Sequence, residues 1–317
     1  MKEMYKNYVF GVDLGGTTVK MGLFKTDGNL LDMWEIPTRT EENGKNILSD
    51  IANAINSKLI EKNISKSDIE GIGIGVPGPV NDDGTVLKCV NLGWGIFNVE
   101  NVLSELTGLK VKAGNDANVA ALGEMWQGGG IGYKNIVMVT LGTGVGGGVV
   151  INGKVVAGAT GAAGEIGHIN VNSNDKTICS CGNTGCLELF SSATGVVRNT
   201  KRYLEQNPDI QTSLHEFENL QAKDIFDCAK NNDKIAIEQC DIACKYLGKA
   251  LALIACVVNP EIFVIGGGMA RAGQIIIDAT QKYFKEQAFH ACCETKFKQA
   301  TLGNNAGIYG SAYMIIS

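Results

Sequence analysis

The chain alternates short apolar runs with amphipathic stretches of helical period, and it does so twice. Tyr8–Leu14 and Thr18–Phe24 are apolar runs on either side of Gly15-Gly16, which predicts two strands joined as a hairpin, with a third strand at Leu30–Ile36. Ile47, Leu48, Ile51, Ile55 and Leu59 then recur at the spacing that lines one face of a helix, here Ile47–Lys62. Ile72–Val76 reads as a buried strand stopped by Pro77-Gly78-Pro79, and Val99–Thr107 as a helix. A strand around Val111 leads through Asn115-Asp116 into a helix over Ala117–Gln127.

The second half repeats this grammar. Strands are predicted at Asn135–Leu141 and Gly147–Ile151, and helices over Leu187–Gln206, Ala222–Asn231 and Lys234–Val258, the last stopped by Asn259-Pro260. A strand at Ile262–Ile265 ends in three glycines; a helix from Gln274, a strand at Lys296–Leu302 and a closing helix at Ala306–Ile316 follow. Two lobes of the same strand–strand–strand–helix–strand order predict a duplicated α/β unit with a mixed sheet in each lobe. The lobe boundary is expected near Asn115: residues 1–115 plus the C-terminal helix 304–317 in a smaller lobe, residues 116–303 in a larger one.

Composition narrows the classes of function. A net charge of −5 offers no electrostatic footprint for nucleic acid. The longest apolar run, Leu251–Val258, is too short to span a bilayer, and the polar start Met1–Asn7 has no signal-peptide character, so a cytoplasmic protein is expected. Glycine, at 41 of 317 residues, is about twice its usual share and marks many sharp turns or close approaches.

One cluster carries metal chemistry. His168 is followed by Cys179-Ser-Cys181-Gly-Asn-Thr-Gly-Cys186, three thiols and an imidazole with zinc-ligand spacing. Gly182 and Gly185 allow the tight loop that this spacing needs. Glu165 and Glu188 bracket the cluster, so a structural zinc ion there also fixes two acids near one place. The other seven cysteines, Cys89, Cys228, Cys240, Cys244, Cys256, Cys292 and Cys293, show no disulfide framework, which fits a reducing compartment.

Three glycine loops each follow an apolar strand: Gly15-Gly16-Thr17-Thr18, Gly142-Thr143-Gly144 with the glycines after it, and Gly266-Gly267-Gly268. Glycine N–H groups converge readily on anions, and the threonine hydroxyls add donors. Asp13, just before the first loop, is placed to hold magnesium. Lys20 reads equally as a phosphate contact or a solvated side chain. Gly142–Gly147 matches the dinucleotide fingerprint in letters only, since a strand rather than a helix follows it. Asn115-Asp116 is by its spacing first of all a helix N-cap.

These segments together resemble one family. Asp13-Leu-Gly-Gly-Thr-Thr-Val-Lys20, Pro77-Gly-Pro-Val80, Asn115-Asp-Ala-Asn118, Leu141-Gly-Thr-Gly-Val-Gly-Gly-Gly148, Gly164-Glu-Ile-Gly-His168 and Cys179–Glu188 are similar to the ROK family of repressors, open reading frames and sugar kinases. The resemblance runs from Asp13 to Gly303–Gly310. It implies a two-lobed, actin-like, ribonuclease-H-type ATPase fold and phosphorylation of glucose at its 6-hydroxyl by ATP. The alternative is another hexose: mannose, fructose or an N-acetylated amino sugar. Carried over position by position, Asp116 is the catalytic base, and Gly78, Asn115, Asp116, Glu165, His168 and Glu188 meet the sugar. Asp13, Gly15, Gly16, Thr17, Thr18, Thr143, Gly144, Gly267 and Gly268 meet ATP and its Mg2+. A homodimer is implied as well. A repressor of this family would need a helix-turn-helix segment ahead of Asp13, where only twelve residues stand.

Overall fold

The computed structural model of the protein describes residues 6–317. In chain order the strands are β1 Tyr8–Leu14, β2 Thr18–Lys25, β3 Leu30–Pro37, β4 Ile69–Val76, β5 Thr85–Val86, β6 Phe97–Asn98, β7 Val111–Asn115, β8 Ile136–Leu141, β9 Val145–Ile151, β10 Lys154–Val155, β11 Ile262–Gly266 and β12 Lys296–Gln299. The helices are α1 Glu41–Gly44, α2 Ile47–Glu61, α3 Val99–Thr107, α4 Asp116–Gln127, α5 Glu188–Ser191, α6 Ala193–Gln206, α7 Ala222–Lys230, α8 Lys234–Val258, α9 Gln274–Gln287 and α10 Ala306–Ile316.

The duplication expected from the pattern is visible in the sheets. One runs β3-β2-β1-β4-β7 and the other β10-β9-β8-β11-β12, the same order of antiparallel hairpin strands followed by parallel ones. This is the two-lobed, actin-like α/β fold. By packing, the chain divides into two compact units. Unit 1 comprises residues 1–134, 148–164 and 302–317; unit 2 comprises 135–147 and 165–301. The first crossing falls after Lys134 rather than near Asn115, because α4 packs with α10 inside unit 1.

In unit 1 the apolar residues of β1, β2 and β4 face Ile47, Ile51 and Ile55 of α2 and Leu103 of α3, all with at most 1% exposure. On the opposite face Val9 and Phe24 meet Ile308, Ala312 and Ile315 of α10. α10 lies almost on the sheet backbone. A Cβ at Gly73 would stand 1.7 Å from Ser311 O, and one at Gly11 would stand 1.9 Å from Ile308 O. The C-terminal helix therefore packs on the first unit because the strands beneath it carry glycine. In unit 2, α8 is the long buried helix and packs against α7 and α9.

Two elements differ from the periodicity. The helix read over Leu187–Gln206 is broken at Ser192, whose backbone is extended and whose side chain caps α6 by accepting from Gly195 N. The cap supplies an acceptor that a continuous helix would not need. The last strand ends at Gln299, and Gly303–Asn305 form a short turn before α10.

Candidate active site and metal centre

In unit 1, β1 ends at Asp13 and the hairpin turn follows. The turn is closed by Gly15 N donating to Thr18 O at 3.0 Å and is held by the Thr38 hydroxyl donating to Gly15 O at 2.7 Å. Thr17 and Gly16 remain exposed at its tip. Burial, and then the neighbouring Asp116, push the Asp13 carboxyl up to about 6, with Lys20 pulling the other way. Lys20 itself donates to Asn304 O at 3.2 Å and lies 4.0 Å from Glu35.

Asn115 and Asp116 sit where β7 passes into α4. The Asn115 Oδ1 caps the helix, accepting from Ala117 N at 3.1 Å and Asn118 N at 3.2 Å. Its Nδ2 donates to Gly78 O and to Asp116 Oδ1, both at 3.1 Å. The capping role read from the sequence thus belongs to Asn115, and that same side chain orients Asp116. The Asp116 carboxylate also accepts from Ala117 N at 2.8 Å and stays partly exposed. Gly78, Asn115, Asp116 and Asp13 are therefore neighbours at one end of the unit 1 sheet, where β1, β4 and β7 finish.

Unit 2 holds the cysteine hook. Cys179 N donates to Asn183 O and Gly182 N to Cys179 O, closing a tight loop in which Gly182 and Gly185 take positive φ. The ligand atoms of His168, Cys179, Cys181 and Cys186 all lie within 4.8 Å of one another. Cys181 Sγ and Cys186 Sγ are 3.6 Å apart, as are Cys179 Sγ and His168 Nδ1. Zinc–sulfur bonds of about 2.3 Å in a tetrahedron place sulfurs about 3.8 Å apart, so the set fits zinc. Nδ1 of His168 faces the sulfurs, which leaves Nε2 on the side of Glu165, 3.9 Å from its Oε2. Glu188 accepts from Cys179 Sγ at 3.0 Å and from the Ser180 hydroxyl at 2.8 Å.

The hook adjoins the second glycine loop. A Cβ on Gly144 would stand 2.8 Å from Glu188 Oε2, so the backbone of this loop passes directly against the carboxylate. Thr194 Oγ1 donates to Thr143 O and Ala193 N to Gly142 O, pinning the loop to the start of α6. A cavity of about 630 Å³ opens beside it, walled by Thr143 and Gly268 from two of the predicted loops. Its charged walls are Lys223, Asp227 and Lys230 of α7 and Arg271. Those four were not singled out in the sequence, because they belong to no motif. Only the packing of α7 beside the glycine loops brings them to the cavity.

A family-wide sequence model described as the ROK family matches residues 9–317. The chain belongs to the ROK family. This ROK protein is 43% identical over 316 residues to a glucokinase of Halalkalibacterium halodurans, covering 98% of this chain and 96% of that one. It is 35% identical to a glucokinase of Thermotoga maritima, with 98% of each chain covered. Among solved structures it resembles a ROK family glucokinase of Streptomyces griseus in complex with glucose and AMPPNP, at 30% identity and a TM-score of 0.71, over 97% of this chain and 98% of that one.

Proposed function

We propose that the protein is an ATP-dependent glucokinase, transferring the γ-phosphoryl group of ATP to the 6-hydroxyl of glucose. The observation that carries this reading is the contact, within unit 2, between the Gly142–Gly144 loop and Glu188 of the hook. A phosphate-cradling backbone and a hydroxyl-binding acid belong side by side in an enzyme that passes phosphate from a nucleotide to a sugar. The glucokinase relatives and the neighbour containing glucose and AMPPNP agree with it.

Asn115, Glu165, Glu188 and the free Nε2 of His168 are donors and acceptors suited to the hydroxyls of a hexose. Asp116 takes the proton of the 6-hydroxyl. Phosphoryl transfer has a loose transition state, so the carboxylate need only orient the hydroxyl and accept its proton late. Asn115 holds that carboxylate in place through Nδ2. Glycine N–H groups of both loops, with Thr17, Thr18 and Thr143, cradle phosphate oxygens, and Gly267 and Gly268 flank the nucleotide. Asp13 is the residue to hold Mg2+, which when bound neutralises charge on the phosphates. The His168, Cys179, Cys181 and Cys186 set leaves zinc no open position, so its contribution is to anchor the hook. A homodimer in the cytoplasm completes the reading. Ten free thiols suit a reducing compartment, and among the described residues no helix is long and apolar enough to cross a membrane.

The test is coupled ADP release with glucose, mannose, fructose and N-acetylglucosamine. Glucose is expected to give the highest kcat/KM. Asp116→Asn should lower kcat by about 10²–10⁴-fold while leaving glucose affinity largely intact. ADP release that ignores the sugar would overturn the activity, and an active Asp116→Asn variant would overturn the base.

A further inference from the structure

The turn that joins β1 to β2, residues 15–18, has its polar groups sorted by sign. Three of its carbonyls accept hydrogen bonds within unit 1. Thr18 O accepts from Gly15 N at 3.0 Å, Thr17 O from Thr38 N at 2.9 Å, and Gly15 O from the Thr38 hydroxyl at 2.7 Å. Among the described residues, the N–H groups of Gly16 and Thr17 meet no protein acceptor. The tip of the turn thus presents donors while its acceptors are taken up by the protein, the arrangement that suits an anion. Gly16 adds room for one. Its φ is not positive, and a Cβ there would meet nothing within 4 Å, so neither conformation nor packing asks for glycine. What the bare backbone leaves open is the close approach of a ligand.

One residue outside the motif does most of this sorting. Thr38 stands just beyond the last ladder pair of β2 and β3, Thr18 with Pro37, and from there its two donors reach two carbonyls of the turn. Arg39, next in the chain, fastens that position to α2, donating through Nε to Asp50 Oδ2 at 2.7 Å and through Nη2 to Oδ1. Without the hydroxyl, Gly15 O has no partner from the protein, and its peptide is free to rock outward. A carbonyl dipole at the tip would then oppose the charge of phosphate oxygens.

We propose that Thr38 is a positioning residue for the phosphoryl donor: by holding Gly15 O and Thr17 O, it aims the N–H groups of Gly16 and Thr17 at phosphate oxygens. The proposal rests on the kinase reading above, in which this turn cradles the phosphates of ATP. Those oxygens carry charge before transfer as well as during it, so the clamp serves binding of the donor rather than the rate of the step.

Two variants separate the hydroxyl from the shape of the side chain. Thr38→Val removes the hydroxyl and keeps the branched shape and the backbone N–H; Thr38→Ser keeps the hydroxyl. Each is compared with the wild type by steady-state kinetics and by calorimetric titration of glucose and, separately, of AMPPNP with Mg2+. Thr38→Val should weaken AMPPNP binding and raise KM for ATP by about five- to tenfold, the worth of one hydrogen bond. Its kcat and its glucose affinity should stay within about twofold of the wild type, and Thr38→Ser should recover most of the loss. A merely structural threonine would instead reduce the number of sites for both ligands and leave both affinities alone, a result that would overturn the proposal. So would wild-type AMPPNP affinity in Thr38→Val, a fall confined to kcat, a serine variant no better than the valine, or glucose and AMPPNP weakened equally. A wild type without glucose-dependent ADP release would overturn the kinase reading, and the role of the clamp with it.

Discussion

Asp13 shows how a single side chain carries a cost for its task. Its carboxyl is pushed up to about 6, first by burial and then by Asp116. The unfolded chain ionises this group near 4. As pH rises from about 4 to 6 the unfolded state therefore loses its proton first, and folding stability falls through that window. Above pH 6 the penalty is constant, on the order of 2–3 kcal/mol. Asp13→Asn should accordingly raise the melting temperature at pH 7 and leave it nearly unchanged at pH 4, measured in EDTA. Stability that fell at both pH values would contradict this. The motif marks Asp13 in the sequence. The environment that raises its pKa is burial and, after it, Asp116 far along the chain, and only folding supplies both.

The clustering of His168, Cys179, Cys181 and Cys186 was legible as an element, because spacing, glycines and ligand chemistry all lie within one short segment. Cys181→Ser should lose bound metal, measured by atomic absorption, and weaken glucose binding in parallel; full glucose affinity without metal would remove its scaffold role. The helix read over Leu187–Gln206 was not fully legible. Its periodicity continues through Ser192, and the break follows from a cap that only the folded backbone displays. Asp233 illustrates a cap with a measurable signature. Its Oδ1 accepts from Ile235 N and Ala236 N, starting α8, and its Oδ2 accepts from Thr212 Oγ1 and from Ser213 N and Oγ. Burial works against ionisation here, but these bonds, led by that from Ala236 N, outweigh it and hold the pKa at about 2. The cap's contribution is thus complete above pH 4 and is lost as pH falls from about 4 to 2. Asp233→Ala should cost about 1–2 kcal/mol in urea unfolding at pH 7 and make stability less dependent on pH in that acid window.

At the scale of the whole molecule, the return of the C-terminal helix to unit 1 is the decisive packing event. α4 and α10 meet nearly backbone to backbone. A Cβ on Gly310 would stand 1.7 Å from Val119 O, and one on Gly123 would stand 2.1 Å from Ala306 O. Neither contact is with a flexible side chain, so Gly310→Ala must part the helices and should cost about 3 kcal/mol or more in chemical unfolding. A loss below about 1 kcal/mol would show that the helices separate easily. This contact also explains why α4 belongs with unit 1 although the sequence pattern suggests a boundary at Asn115. The sequence by itself determined the duplicated strand grammar, the metal hook, the glycine loops and the aspartate heading α4, because each is written in residues close together along the chain. Tertiary structure alone decided the grouping of α4 with α10, the α7 wall of the cavity beside the glycine loops, and the burial and neighbour that raise Asp13. Each of these joins residues distant in sequence, where periodicity and spacing carry no information.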